Sequence, residues 1–514
     1  MKRWRNAAGP AAVAVLVAAI FCTLPLGTAL EFGRDEGYEL MKGLLHSRGF
    51  QLYKEIWSDQ PPLFTLLLSA AFGEFGASIL VGRLVAAGFG LAFFMTFYSL
   101  VRQRSGHWPA AFAAFLLLSS PTVLELSVSV MQEVPAFAVA LISAWLLVQW
   151  SERRRWPWLL ASGAAMGVAL EIKLTAAVLV PAMLTQAALA APAKSNGVRA
   201  RRTWLGPSLW GAATLGWFLA IALLWGRGSL HAFWGADVAP HAVLGLKRPE
   251  DFPIQWSLFL DHAECVVAAV AGTVWALKGG QWKEIAFPLV MLATALGIHA
   301  AHRPWWIYYY LHFAVPLSWL AGVGVSRATR GLGRLLGTGR HSPSSPITWK
   351  AVLLCLALGL VLARSQSRLL AGVRFLRGRP LAATDPVIAK MKQYAGRTKW
   401  AYAQEGIYAF HAGLVMPPEL AVVTLKRGWS EKLTLEQIVE LCRRYDADQI
   451  LLPGRRTQGP WKSLLDNRYD VILERPGAVL YLLKERRPLH FRPSSFRSNS
   501  TKLWGAQGPL RSKA

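Results

Sequence analysis

The sequence predicts an all-α polytopic membrane protein of about eleven transmembrane helices, followed by a small C-terminal extracytoplasmic α/β domain. Three observations carry this prediction. Stretches such as 77–101 and 203–225 hold at most one charge each, enough to cross a bilayer. Lys and Arg gather in the short connections between such stretches. After about residue 367 the pattern becomes polar, and helix-like and strand-like segments alternate.

Composition leans the same way. The chain is 54% hydrophobic and 17% charged, against roughly 45–50% and 25% in soluble domains. A formal net charge of +27 would point to nucleic acid in a soluble protein. Here the bases lie in inter-helix loops and the C-terminal tail, without a basic stripe of interleaved aromatics, so no nucleic-acid partner is expected. Cys22, Cys265, Cys355 and Cys442 have no metal-ligand spacing, and the first three fall in or next to apolar segments. A disulfide framework is not expected.

Lys2, Arg3 and Arg5 precede an apolar stretch at 11–30. It is longer than a signal-peptide core of roughly 7–15 residues and reads as an uncleaved first helix. Further spans are expected near 77–101, 108–122, 131–150, 156–173, 174–191, 203–226, 262–277, 284–300, 306–325 and 350–366. Segment 61–75 is ambiguous, and charge parity decides it. If it does not cross, Arg102, Arg104, Arg153, Arg154, Arg155, Lys194, Arg199, Lys278, Lys283 and Arg327 share a side with Lys2 and Arg3. If it crosses, they all lie opposite. The positive-inside rule selects the first arrangement.

The N-terminus is then cytoplasmic in the inner (plasma) membrane. The first outer loop 31–60, the loop 227–261 and everything after about 367 lie outside. Residues 38–45 have apolar side chains at helical spacing, as an amphipathic helix lying on the membrane surface would. The predicted domains are a membrane domain at 1–366, a soluble α/β domain at 367–486 and a disordered basic tail at 487–514. In the soluble domain, helices are expected at 384–394 and at 434–445, where Thr434 is a cap with Gln437 three residues on. Strands are expected at 399–403, 420–425, 448–452, 470–474 and 478–483.

Asp35 and Glu36 sit just past the outer end of the first helix. Adjacent carboxylates there could hold a cation or take a proton from an incoming hydroxyl; a solvated helix flank is the plainer reading of the pair alone. Residues 57–64 (Trp57-Ser58-Asp59-Gln60-Pro61-Pro62-Leu63-Phe64) form a polar turn feeding a helix through two prolines. Such a helix start presents free amides to an anion, although an ordinary turn has the same look. His231, His241 and His262 are spaced too loosely for a metal triad, and 411–418 reads as a structural turn.

Taken together, the acidic pair, an amphipathic loop of about 25 residues and Asp59-Gln60-Pro61-Pro62-Leu63 resemble the dolichyl-phosphate-mannose protein mannosyltransferase-like families. These include the bacterial aminoarabinose transferases of lipid A, all of the C-type glycosyltransferase fold. Gly167 through Lys173 to Thr175 is similar to a helix-end element of those families. His302-Arg303-Pro304 with Tyr308-Tyr309-Tyr310 is similar to their penultimate-helix region. Many relatives carry lysine before the double proline, where this chain has Gln60.

The resemblance implies a polyprenyl-phosphate sugar donor, and a glycolipid, polysaccharide or protein acceptor at the outer face of the membrane. It implies inversion at the anomeric carbon. Asp35 matches the acid that orients or deprotonates the acceptor, with a divalent metal in some relatives; Glu36 matches a supporting residue and Glu133 a further acid. Asp59, Gln60 and Tyr310 join the expected substrate-binding set. Lys173 and Arg303, at outer helix ends, are placed to hold the departing phosphate, although Lys173 could equally snorkel or pair with Glu171 or another acid. Tyr308, Tyr309 and Tyr310 with Trp305 and Trp306 read as an interfacial aromatic belt before a sugar platform.

Two other classes compete. A transporter or flippase of a lipid-linked saccharide would show internal repeats and polar groups near the midplane. This chain has no repeat, and its charges cluster at the outer boundary. A non-catalytic assembly protein is the third class.

Overall fold

The computed structural model describes residues 2–190, 199–224, 253–301, 304–335, 349–429, 432–456 and 458–486. Arg303, His231, His241 and the tail 487–514 lie outside the described residues, as does most of loop 227–261.

Each of the eleven expected apolar segments overlaps a helix among the described residues. The first ten helices are α1 (Lys2–Cys22), α2 (Glu36–Ser47), α3 (Leu63–Phe75), α4 (Ile79–Ser105), α5 (His107–Leu118), α6 (Pro121–Leu126), α7 (Glu133–Arg153), α8 (Trp156–Ile172), α9 (Val180–Leu189) and α10 (Arg199–Leu224). Ala263–Lys278, Trp282–Ala301, Leu311–Leu335 and Trp349–Arg377 complete the bundle. Among the described residues, Ile79–Ser105, Glu133–Arg153, Trp204–Leu224, Trp282–Ala301 and Val352–Arg377 are long and apolar enough to cross a bilayer. The ambiguous segment forms α3, whose 13 residues reach about 20 Å. That is short of the roughly 30 Å hydrocarbon core.

Two expectations for the N-terminal region need correction. The first helix ends at Cys22 rather than near residue 30. Thr23 and Leu24 close a tightened last turn on Ile20 and Phe21, just before Pro25. The residues beyond turn aside and join the start of the C-terminal domain. Leu30 N–H donates to Pro380 O at 2.7 Å, and Ala29 bridges Leu381.

Helix α2 exists, but its faces are covered by protein rather than left open to lipid and water. It is buried between α3 and the helix Gly406–His411. Two glycines permit this. A Cβ on Gly43 would meet Leu68 Cβ at 2.9 Å, and one on Gly37 would meet Ile407 N at 2.6 Å. Polar residues gave the segment its amphipathic look, and protein covers them.

The C-terminal domain carries a four-stranded sheet ordered β1-β2-β4-β3, with β1 (Ala401–Ala403), β2 (Gln449–Leu452), β3 (Tyr469–Arg475) and β4 (Ala478–Leu483). The β1–β2 pair is parallel, and β4 runs antiparallel to both β2 and β3. Helices fall at Pro386–Gln393 and Leu435–Arg444 as the sequence predicts, the second opened by a full Thr434–Gln437 capping box.

The expected strand at 420–425 is absent: Pro418–Leu420 is a 3-10 turn, and a helix begins at Leu425. Its carbonyls are claimed by side chains. Arg427 Nη1 donates to Val422 O at 3.0 Å, and Tyr38 Oη donates to Val423 O at 2.8 Å. A ladder cannot form there.

Candidate active site

Asp35 caps α2 without any side-chain cap bond. Among the described residues its carboxylate makes no hydrogen bond or ion pair, so both oxygens stay open to a ligand. Burial pushes its pKa up to about 6, Glu133 and Asp59 push the same way, and Lys173 opposes them. A carboxyl that ionises near 6 is still a carboxylate at neutral pH and is a stronger base than an exposed aspartate.

Glu36, its neighbour, is fully committed. Its Oε1 accepts from Arg83 Nε at 2.8 Å and from Val130 N–H at 3.0 Å. Oε2 accepts from Arg83 Nη2 at 2.8 Å and from Phe32 N–H at 3.0 Å. Arg83 Nη1 reaches Leu26 O and Ala29 O, both at 2.9 Å, and its guanidinium lies 4.2 Å from the Phe32 ring centroid. Both side chains are 0% exposed. The fork joins the first loop, α4 and the α6–α7 connection into one rigid frame.

Lys173 follows the last residue of α8 in extended conformation, which turns its side chain off the helix. The ammonium pairs with Glu133, the first residue of α7, and lies 4.8 Å from the Tyr308 ring centroid. Both members are buried, as an ionisable pair at the bundle's end must be if neither is left alone. Glu133 Oε2 has no hydrogen-bond partner among the described residues.

Residue 132 links this pair to a second one. Gln132 Nε2 donates to Glu39 Oε2 at 3.0 Å, and Glu39 Oε1 pairs with Lys42 Nζ at 2.8 Å. Lys42 also donates to Ser58 Oγ at 3.4 Å, beside buried Asp59. Gln60 is held by its backbone: its N–H donates to Ser58 Oγ at 3.2 Å, and its carbonyl accepts from Tyr53 Oη at 2.7 Å. Neither of the nearest bases in sequence, Lys54 and Arg83, takes the place of a lysine at position 60. Arg83 is spent on Glu36, and Lys54 is exposed.

Asp35, Glu133, Lys173 and Asp59 therefore share one electrostatic neighbourhood. Tyr310 lies apart, its ring 5.4 Å from Phe259 and 5.2 Å from His262. The expected aromatic belt is corrected as well. Trp305, Tyr309 and Tyr310 are buried inside the protein, and Tyr308 faces the Lys173 ammonium. The sequence did not single out Gln132 or Lys42, and it offered Tyr308 only as part of an aromatic run. The lysine at 42 was visible only as one charge in an amphipathic helix.

Among the described residues no group of three or more His, Cys, Asp or Glu side chains could hold a metal ion. Glu133 and Glu39 are engaged by lysines, whereas the Asp35 carboxylate makes no bond to its own helix. Among the described residues the protein alone builds no closed cation site; a divalent ion there would take Asp35 as its carboxylate and draw further oxygens from a bound phosphate.

A helical membrane bundle with an open carboxylate and a buried lysine–glutamate pair at one end, under a small α/β domain, has the architecture of the C-type membrane glycosyltransferases. The comparisons place the chain in that fold. Residues 59–230 match the family model of dolichyl-phosphate-mannose-protein mannosyltransferase. ArnT from Cupriavidus metallidurans bound to undecaprenyl phosphate is 16% identical with a TM-score of 0.61, over 92% of this chain and 97% of that one. Its apo state matches with the same identity and TM-score, over 94% and 98%. The oligosaccharyltransferase of Archaeoglobus fulgidus is 12% identical with a TM-score of 0.55, over 86% and 69%. No curated protein sequence matches the chain.

Proposed function

We propose that this protein transfers a sugar from a polyprenyl-phosphate-linked donor to an acceptor hydroxyl at the extracytoplasmic membrane face, with inversion and with Asp35 as base. The observation that carries the reading is the contrast within the acidic pair. Glu36 has every lone-pair direction occupied, whereas Asp35 is open and sits beside the Lys173–Glu133 pair. That ArnT was solved bound to undecaprenyl phosphate supports a donor of this chemical class.

In this reaction the acceptor O–H proton passes to the Asp35 carboxylate as the acceptor oxygen bonds to the anomeric carbon. The bond from that carbon to the donor phosphate breaks on the opposite face, and the phosphate leaves with the electron pair. Lys173 offsets the charge that builds on the phosphate, and Arg303 joins it in this role. The amides at the start of α3, after Asp59-Gln60-Pro61-Pro62, add a partial positive charge. Glu133 orients Lys173 and presents Oε2 to a sugar or acceptor hydroxyl.

The test is a transfer assay with purified full-length protein, labelled polyprenyl-phosphate sugars and membrane extract. Wild type should transfer label, and Asp35→Asn should transfer about 10²- to 10⁴-fold more slowly at equal folded yield. Undiminished transfer by the variant would remove the base. Failure of wild type with every donor, alongside movement of lipid across vesicles, would favour a flippase.

A further inference from the structure

Asp35 stands between two stretches of backbone that the C-terminal domain grips directly. On one side, His411 Nε2 bonds Leu30 O at 2.8 Å; a carbonyl only accepts, so this nitrogen carries the proton. Close by, Ala382 N–H donates to Thr28 O at 2.9 Å, and Arg379 Nη2 donates to Phe32 O at 2.9 Å. On the other side, Tyr38 Oη donates to Val423 O at 2.8 Å. Between them, Gly37 abuts the backbone of Ile407, with room for no side chain: a Cβ there would lie 2.6 Å from Ile407 N and 3.2 Å from its Cα.

The membrane side of the loop is held separately, by the Glu36–Arg83 fork. Asp35 has no cap bond within its own helix to fix it. Its place relative to Lys173 is therefore set from outside, by groups on both flanks.

We propose that the C-terminal domain is a positioning element of the site, holding Asp35 against the Lys173–Glu133 pair through His411 and the Gly37–Ile407 crossing. This rests on the reading of Asp35 as base given above. Misplacing a reacting group by about 1 Å can cost on the order of 10²-fold in rate. The soluble domain would then govern turnover itself, beyond any part it plays in recruiting an acceptor.

The experiment uses the full chain in detergent. Hydrogen exchange is followed across residues 28–40, and kcat and donor KM are measured in parallel. His411→Leu removes the donor to Leu30, while His411→Gln keeps an amide N–H at similar reach. Gly37→Ala forces the crossing apart. Gly406→Ala adds a methyl to the facing helix, where its nearest atoms are Met416 Sδ at 3.4 Å, Gly37 O at 3.5 Å and Gly37 C at 3.8 Å, all ordinary van der Waals contacts. Alanine is the better helix former at both glycines, so a loss at 37 alone reports the contact.

His411→Leu and Gly37→Ala should speed exchange across 28–40 by about tenfold and lower kcat by roughly 10- to 100-fold, with donor KM within about twofold. His411→Gln and Gly406→Ala should stay near wild type. Unchanged exchange and kcat in His411→Leu and Gly37→Ala would overturn the proposal, as would an equal loss in Gly406→Ala. The exchange arm needs no turnover. If wild type transferred from no donor, the transferase reading would fall, and exchange would still decide whether the domain holds the loop.

Discussion

Arg83 and Glu36 meet through two parallel hydrogen bonds, Nε to Oε1 and Nη2 to Oε2, each 2.8 Å long, with both side chains out of reach of solvent. The acidic pair of the first loop thus divides into a structural half and an open half. Removing one partner of such a buried fork leaves a charge stranded, at a cost of about 3–5 kcal/mol. Glu36→Leu or Arg83→Leu should lower folded yield and melting temperature in detergent, whereas Asp35→Asn should leave both near wild type. Equal thermal loss in all three variants would erase the division.

Asp35 should behave as a titrating base. Its carboxyl is pushed up to about 6, chiefly by burial. The carboxylate is the working form, so kcat should be level above about pH 7 and fall close to tenfold per unit well below 6. Asp35→Asn should cost about 10²- to 10⁴-fold in kcat and abolish this acid limb. An acid limb that survives in the variant belongs to another group.

The Lys173–Glu133 pair should move that limb in opposite directions. Lys173 holds the Asp35 value down and Glu133 holds it up. In Lys173→Met the carboxyl should rise further, and the acid limb should shift to higher pH. In Glu133→Gln it should fall, and the limb should shift lower. Both variants should also lose rate if, as proposed, the lysine offsets the charge on the leaving phosphate and the glutamate orients it. Residual activity followed from pH 4.5 to 8.5 separates the two; a common direction would contradict the electrostatic arrangement.

How much of this was legible in the sequence follows from how local each signal is. The Thr434–Gln437 capping box and four of the five strand-like runs depend on neighbours within a few residues, and they form where expected. The fifth run, 420–425, has strand composition, but Arg427 and Tyr38 take its carbonyls, and Tyr38 lies hundreds of residues away in sequence. The covering of α2 was hidden for the same reason, with Gly37 and Gly43 as the only local traces of close approach. Asp35, Glu133 and Lys173 entered through the resemblance to the mannosyltransferase-like families, with which their places at the ends of apolar segments agree. Which of three consecutive tyrosines faces Lys173 depends on the register of the 3-10 turn Ile307–Tyr310, and composition does not encode it.

The orientation of the chain is open to direct measurement. Charge parity predicts Arg153, Arg154 and Arg155 in the cytoplasm and the C-terminal domain outside. Arg154 and Arg397 are both exposed. After Cys22, Cys265, Cys355 and Cys442 are replaced, a single cysteine at 397 should react with a membrane-impermeant maleimide in intact cells. One at 154 should react only after the membrane is opened. Because Leu30 bonds to Pro380 and His411, the first loop must share the compartment of residue 397. Labelling of position 154 from outside would therefore invert the whole assignment and place Asp35 in the cytoplasm, where the acceptor proposed for it is not found.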